Sequence, residues 1–398
     1  MKNRKPARRT AAAGTPKRRS AAATRAAAKH VAAPAVDLKF DCRHFRGHMP
    51  CVPNKLRGKI CGSCDEYEKI TKRILIIKLG AIGDVIRTTP LVTAFRKRHP
   101  GARVTWLTLS PDVLPRDLVD EVRKPDAVGL YTVLGGAYDL AVNLDKEAEA
   151  CMLLADVEAK QKLGFTWKDG HIAPATPAAR HKIVTGLFDS LSQENAKNYL
   201  EEIFEVCGME FSGEEYLIRR DAAAEARWKK AVSAKSGGKR VIGLNTGCGK
   251  RWTTRLWPSE SWTALVKRLQ KAGYFPLLMG GPDEDELNKE YARLTGAWYP
   301  GHFPLPEFIA LSSAADIVVT QVSMMMHIAI ALRTPLVLMN NIFNANEFEL
   351  YGRGVIVGPS TGCDCYYGET CSRSRHCMLD LGVDRVFGEI ARLAGERR

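Results

Sequence analysis

From Arg73 onward the chain alternates short apolar runs with amphipathic ones, and it completes that cycle twice. The run "ILIIKL" (74–79) has the unbroken Ile/Leu content of a strand buried on both faces, which a parallel sheet covered by helices provides. The segment "PLVTAFRKRHP" (90–100) reads as the next helix, ending near His99, followed by strands over 102–109 and 138–145. A helix over 194–206 is closed by Gly208. The polar stretch 222–240, ending in Gly-Gly, marks a domain boundary. A second cycle then begins. It predicts strands at 240–245, 275–279, 316–320 and 334–340, the last of the chain, with helices over 259–273 (N-cap Ser259), 305–315 and 323–332. Two α/β halves of similar size imply two Rossmann-like domains facing a cleft. Ligands in such sheets sit beyond the carboxyl ends of the strands, so the loops after residues 79, 245, 279 and 320 should line it.

Composition bounds the remainder. With 45% apolar residues in 398, the chain can bury a substantial core. No run approaches the roughly 18 uninterrupted apolar residues of a spanning helix, and no secretory signal is evident, so the expectation is a cytoplasmic protein, at most peripheral at the inner face of a membrane. The net charge of +15 is concentrated: residues 1–35 carry ten Lys or Arg and no acid. Segment 1–36 reads as a disordered basic tail suited to nucleic acid or an anionic membrane surface, and an acid-free Arg/Ser-rich start also resembles a transit peptide. Segment 37–70 is Cys-rich, 71–235 and 236–350 are the two Rossmann-like domains, and 351–398 is a second Cys-rich segment with a final helix.

Three stretches carry candidate chemistry. In "KLGAIGDVIRTTP" (78–90) a single acid, Asp84, follows a strand and lies between glycines and a threonine pair. It serves either as a helix N-cap or as a carboxylate projecting from an irregular loop, with the helix starting at Pro90 and with Gly80 and Gly83 clearing space for a ligand. In "NTGCGKRWTTRLWP" (245–258), Lys250, Arg251 and Arg255 accompany two glycines and three hydroxyls directly after a strand, the donor set a diphosphate needs. The P-loop spacing is absent. Trp252, Trp257 and Trp262 mark the segment as ordered and partly buried. His327, in "MMMHIAIAL", sits on an apolar helix, where histidine is more often a core residue than a functional one.

Eight of eleven cysteines fall into two groups of four: Cys42, Cys51, Cys61 and Cys64, and Cys363, Cys365, Cys371 and Cys377. The C-x2-C knuckle at Cys61/Cys64 favours a tetrahedral thiolate site, with structural zinc or an iron–sulfur cluster chemically allowed, against free thiols or disulfides.

The segments "IIKLGAIGDVIRTTPL", "NTGCGKRWTTRLWPSESW", "LLMGGPDE", the His327 helix and "NEFELYG" (346–352), in that order and spacing, resemble glycosyltransferase family 9, the ADP-heptose:lipopolysaccharide heptosyltransferases. The resemblance covers roughly residues 40–395, and cysteine-rich ends are similar to those of a subset of that family. It implies a GT-B fold with an N-terminal acceptor domain and a C-terminal domain for an ADP-heptose-like nucleotide sugar. It further implies inverting transfer to a glycolipid or glycan acceptor without a catalytic divalent metal. Asp84 matches the family's general base, and Thr246 and Gly247 match the start of its phosphate loop. Arg255 stands where the family usually has lysine, and His327 matches the histidine of its "DTGxxH" pattern. The sequence departs from that pattern in "TQVSMMMH": Val322 replaces the acid, Ser323 keeps a hydroxyl and Met324 replaces the glycine. The acidic contact to the donor is then missing or comes from Glu347 or Glu349. The rival reading is a non-catalytic protein using the tail and a four-cysteine module on nucleic acid, with a degenerate transferase core.

Overall fold

The computed structural model describes residues 35–395. The reading of a basic tail falls on residues outside that range, except for its last two positions. Two open sheets form the frame. The first contains β1 (Lys72–Ile77), β2 (Ala102–Leu107), β3 (Glu121–Arg123), β4 (Ala137–Asn143), β5 (Glu158–Lys168) and β6 (His171–Pro174). Their order is β3-β2-β1-β4-β5-β6, parallel except for the antiparallel β5/β6 hairpin. The second contains β7 (Val241–Asn245), β8 (Phe275–Met279), β9 (Ile317–Gln321), β10 (Leu336–Met339) and β11 (Gly354–Val357). Its order is β11-β10-β9-β7-β8, parallel throughout.

Ile74, Leu75, Ile76 and Ile77 of β1 are fully buried, their side chains alternating between helix layers on the two faces of the sheet. Each such side chain contributes about 1.5–3 kcal/mol on leaving water. Strand order reverses between β1 and β4 in the first sheet and between β7 and β9 in the second. Crevices open at the carboxyl ends of strands at such reversals. The two crevices face each other.

Several details differ from the sequence reading. Strand β11 follows β10 in the sheet, so 334–340 is not the last strand. The helix after β7 is Ser259–Lys271 with Pro258, not Ser259, in the cap position. The polar stretch at 222–240 is mostly a helix, Ala222–Ser236, capped by Asp221, whose carboxylate accepts from the Ala223 and Ala224 N–H groups. It packs on the helix Leu305–Ser312 through Trp228, whose indole N–H donates to Glu307 at 2.6 Å. The β5/β6 hairpin escaped notice because β5 is lysine-rich. Its turn, Asp169-Gly170, has positive φ at both residues (52° and 82°), and Asp-Gly is the residue pair that such turns favour.

The N-terminal Cys-rich segment is docked on the first sheet's edge. Arg43 reaches Glu68 at 2.9 Å and Asp120 at 2.5 Å, and Arg46 donates to the Asp120 carbonyl. Among the described residues, no helix is long and apolar enough to cross a membrane.

Candidate active site

The loop leaving β1 turns directly into a short helix, Ile82–Thr88, and a second helix, Pro90–Arg98, follows. Asp84 lies in the first turn of the short helix. It therefore neither caps a helix nor projects from an irregular loop, since its own segment is helical and Ala81 holds the cap position without a side-chain bond. Its carboxylate pairs with Arg87 at 2.9 Å, one helical turn on. The Arg87 guanidinium lies 3.6 Å from the centre of the Tyr199 ring, which fixes the pair from below. Burial by itself would raise the Asp84 carboxyl, but Arg87 and Lys78 outweigh it and hold the group below the usual carboxylate range. Asp84 is thus an anion at neutral pH, with one face toward an open cavity.

That cavity, about 450 Å³, is lined by Lys78, Asp84, Arg87, Lys146 and Lys182 among others. Asp145 organises its floor. It takes a short contact from the Lys78 ammonium and accepts the backbone N–H groups of Leu79 and Gly80, the latter at 3.1 Å. A side chain at Gly80 would come within 3.1 Å of both Asp145 and Lys78. Gly80 therefore makes room for this internal clamp rather than for a ligand.

On the other side, β7 delivers Asn245 into the basic loop. Its amide donates to the Gly247 carbonyl at 2.8 Å and to Thr320 at 3.0 Å. Thr246 is buried behind the loop with its hydroxyl on Asn288. Gly247 passes so close to Glu284 that a β-carbon there would overlap its carboxylate. Arg255 is buried, and its guanidinium spreads over three backbone carbonyls: Cys248, Val322 and, at 3.1 Å, Trp252. Bonded to backbone in this way, it gives the loop both its shape and a positive charge. Lys250 is exposed and pairs with Asp283 at 2.7 Å, while Arg251 stacks on Trp252 at 4.3 Å. Trp257 and Trp262 are buried edge to face, as their spacing suggested. Ser323 caps the helix Met324–Ala331, accepting from the Met325 N–H at 3.3 Å. That helix N-terminus faces the same opening.

The halves meet where His327 lies over Gly83. A β-carbon on Gly83 would stand 2.5 Å from His327 Cδ2, so only glycine fits. The space at Gly83 is filled by the imidazole, not kept for a ligand. Burial, with Arg87 nearby, pushes His327 down to about 3, so the ring stays neutral. It stacks on Tyr216 at 6.0 Å, and its Nδ1 is buried without a partner among the described residues. Asp84 and Arg87 from one half, and Lys250, Arg251, Arg255, Ser323 and His327 from the other, line one cleft of about 440 Å³.

The comparison with known proteins settles the kinship. The model of glycosyltransferase family 9 (heptosyltransferase) matches residues 130–351. The chain belongs to glycosyltransferase family 9. It is 22% identical over 292 residues to lipopolysaccharide heptosyltransferase 3 of Escherichia coli, covering 67% of this chain and 81% of that one. Its fold matches E. coli ADP-heptose lipopolysaccharide heptosyltransferase II, with a TM-score of 0.61 at 18% identity, over 82% of this chain and 99% of that one. It also matches the iron-containing dodecameric glycosyltransferase TibC of enterotoxigenic E. coli H10407, with a TM-score of 0.52 at 15% identity, over 83% and 78% of the two chains. The architecture is thus GT-B-like, and the family 9 chain is a heptosyltransferase-like glycosyltransferase.

Within this family 9 member, the departure at Val322 has a structural counterpart. Val322 is buried and contributes only its carbonyl, to Arg255. Of the two acids proposed from sequence to replace the missing one, Glu347 lines both cavities. Glu349 instead accepts the Tyr351 N–H at 2.6 Å and lies outside both linings. Sequence reasoning missed Asp145, Tyr199 and Tyr367. Asp145 could have been found, because it closes the strand run "YDLAVNLD" at a carboxyl end.

No disulfide joins any of the eleven cysteines, all of which lie among the described residues. Cys42, Cys51, Cys61 and Cys64 line one cavity of about 160 Å³ together with His44. In the second group, the Cys363 and Cys377 sulfurs stand 3.5 Å apart, and Cys363 Sγ also accepts the Cys365 N–H at 3.4 Å.

Proposed function

We propose that this enzyme transfers a heptose or related sugar from an ADP-type nucleotide sugar to a cell-envelope glycan or glycolipid, with inversion and with Asp84 as general base. One observation carries the reading: an ionised carboxylate on the first half and a cationic, glycine-bearing loop on the second line a single cleft. The acceptor hydroxyl gives its proton to Asp84 as its oxygen attacks the anomeric carbon from the face opposite the diphosphate. The anomeric C–O bond breaks, and its electron pair leaves with the nucleoside diphosphate. Proton removal of this kind contributes roughly 10²–10⁴-fold. The growing charge meets Arg255, Lys250 and the amide groups of the loop, already fixed in place. The donor assignment is supported by the names of the relatives, lipopolysaccharide heptosyltransferase 3 and ADP-heptose heptosyltransferase II. A nucleotide-sugar panel tests it by thermal stabilisation. ADP-heptose at 100 times its Kd should add about 2.7 kcal/mol, whereas stabilisation by a UDP-sugar alone would move the assignment elsewhere.

No step above is routed through a metal. For a structural cation, the fit of the thiols can be judged from their arrangement. Among the described residues, no group of three or more His, Cys, Asp or Glu side chains is arranged so that it could hold a metal ion as it stands. The C-terminal thiols come nearest, since tetrahedral zinc–sulfur bonds of about 2.3 Å place sulfurs about 3.8 Å apart. We assign Cys363, Cys365, Cys371 and Cys377 as the set that would hold a zinc or iron ion, and the N-terminal four as a second candidate. Elemental analysis of the purified chain should find about one metal for the C-terminal set, lost in Cys377→Ser. Metal-free protein of unchanged thermal stability would refute the assignment.

A further inference from the structure

We propose that the loop Cys363–Cys377 is a thiol-closed arm by which the donor half completes the acceptor cavity, with Tyr367 as the positioning residue for Glu347. The inference rests on the proposed function, in which the acceptor hydroxyl meets Asp84, and so reads the cavity of about 450 Å³ beside Asp84 as the acceptor's place. Between Cys365 and Cys371 lie only Tyr366, Tyr367, Gly368, Glu369 and Thr370, and the Cys365 sulfur accepts the Ser372 N–H at 3.4 Å, so this thiol closes a short bend and limits the shapes it can take.

The bend is aimed at the cleft rather than at solvent. Tyr366 crosses between the halves, its hydroxyl donating to Ser192 Oγ at 2.7 Å. Tyr367 donates to Glu347 at 2.7 Å, and its ring packs edge-on against Phe343 and Trp252 at 4.9 and 5.8 Å. Tyr367 has φ 47°, a left-handed conformation that costs any residue with a β-carbon. The cost is borne where the surroundings over-determine the shape. The Tyr367 N–H donates to the Ile342 carbonyl, Thr254 donates to the Gly368 carbonyl at 2.9 Å, and Cys365 accepts from the Ser372 N–H. Asn341 ties the base of the loop to the basic loop, donating both to Cys377 sulfur and to the Thr254 carbonyl.

Tyr367, Glu347 and Glu369 all line the cavity that holds Asp84, Arg87 and Lys146. Glu347 also acts on the Arg87 charge from across the cleft. The donor half thereby supplies one wall of the other half's pocket, and the thiols hold that wall. Acceptor recognition follows from the arm, whereas nucleotide binding does not.

The test uses the full chain, with ADP as the donor-half probe. In Cys365→Ser, hydrogen exchange over 189–193 and 345–349 should quicken at least tenfold while the ADP Kd stays within twofold. Tyr367→Phe keeps the thiols and the ring but removes the hydroxyl. With ADP-heptose and de-O-acylated lipopolysaccharide core oligosaccharide, its KM for the oligosaccharide should rise about tenfold while the Kd for ADP, which carries no sugar for Glu347 to touch, stays within twofold, a split that a general loss of stability would not produce. Unchanged exchange in folded Cys365→Ser, or an unchanged acceptor KM in Tyr367→Phe, would overturn the proposal. If Cys365→Ser does not fold, Tyr367→Phe decides. If the wild type binds ADP but does not use this oligosaccharide, the acceptor class proposed above falls and the exchange measurement decides. A wild type that fails to bind ADP would bring down the donor reading instead.

Discussion

Replacing Asp84 by asparagine should lower kcat roughly 10²-fold or more while leaving the fold, ADP affinity and donor KM little changed. Asparagine keeps the shape of the side chain and an oxygen that can accept from Arg87, but it cannot take a proton at neutral pH. Because Asp84 does not cap its helix, the substitution removes no cap bond, and a fall in turnover cannot be blamed on unravelling at residue 82. Steady-state kinetics beside a thermal melt separate the two effects. Wild-type turnover in Asp84→Asn would remove the carboxylate from the chemistry and leave it a partner of Arg87 alone.

Arg255→Met should weaken ADP binding about 100-fold, which corresponds to roughly 2.7 kcal/mol. The change strands the carbonyls of Cys248, Val322 and Trp252 without their donors, at a typical cost of about 1–3 kcal/mol for each that stays buried. It also removes the cation. Arg255→Lys separates shape from charge. An ammonium restores the charge but cannot span three carbonyls on two chain segments, so about a tenfold loss should remain. Calorimetry with ADP reads both variants. An affinity equal to wild type in Arg255→Lys would show that the charge acts and the loop needs no tie.

Much of the frame could be read from residues alone because the parallel strands are buried on both faces and show as unbroken apolar runs, as in "ILII" and "DIVVT". Strands lacking that property were hidden. β5 is long but lysine-rich at a less covered position, and β3 has three residues. The cationic loop and the acid opposite it, Asp84, were legible as candidates, and both border one cleft. The use of each side chain was not. Arg255 looked like a free phosphate ligand but spends its donors on backbone, Thr246 faces inward, and both Gly80 and Gly83 yield to protein atoms. These are contacts between segments far apart in the chain, such as Gly83 with His327, and no local pattern records them. The partnership of Tyr367 with Glu347, across twenty residues of irregular chain, was invisible for the same reason.

The Gly83–His327 contact acts, in mechanical terms, as an end stop. A pair of long side chains at that point would give way by about an ångström or more under load. Backbone against a packed ring has no such travel, because the ring is itself backed by Tyr216. Sugar transfer needs its reacting atoms held at about 3–3.5 Å. A hard stop beside the carboxylate fixes how near the two halves can come at that point. Variation in what the enzyme accepts must then arise from the walls, the loops after β7 and β10 and the thiol-closed bend, while that limit of approach stays constant.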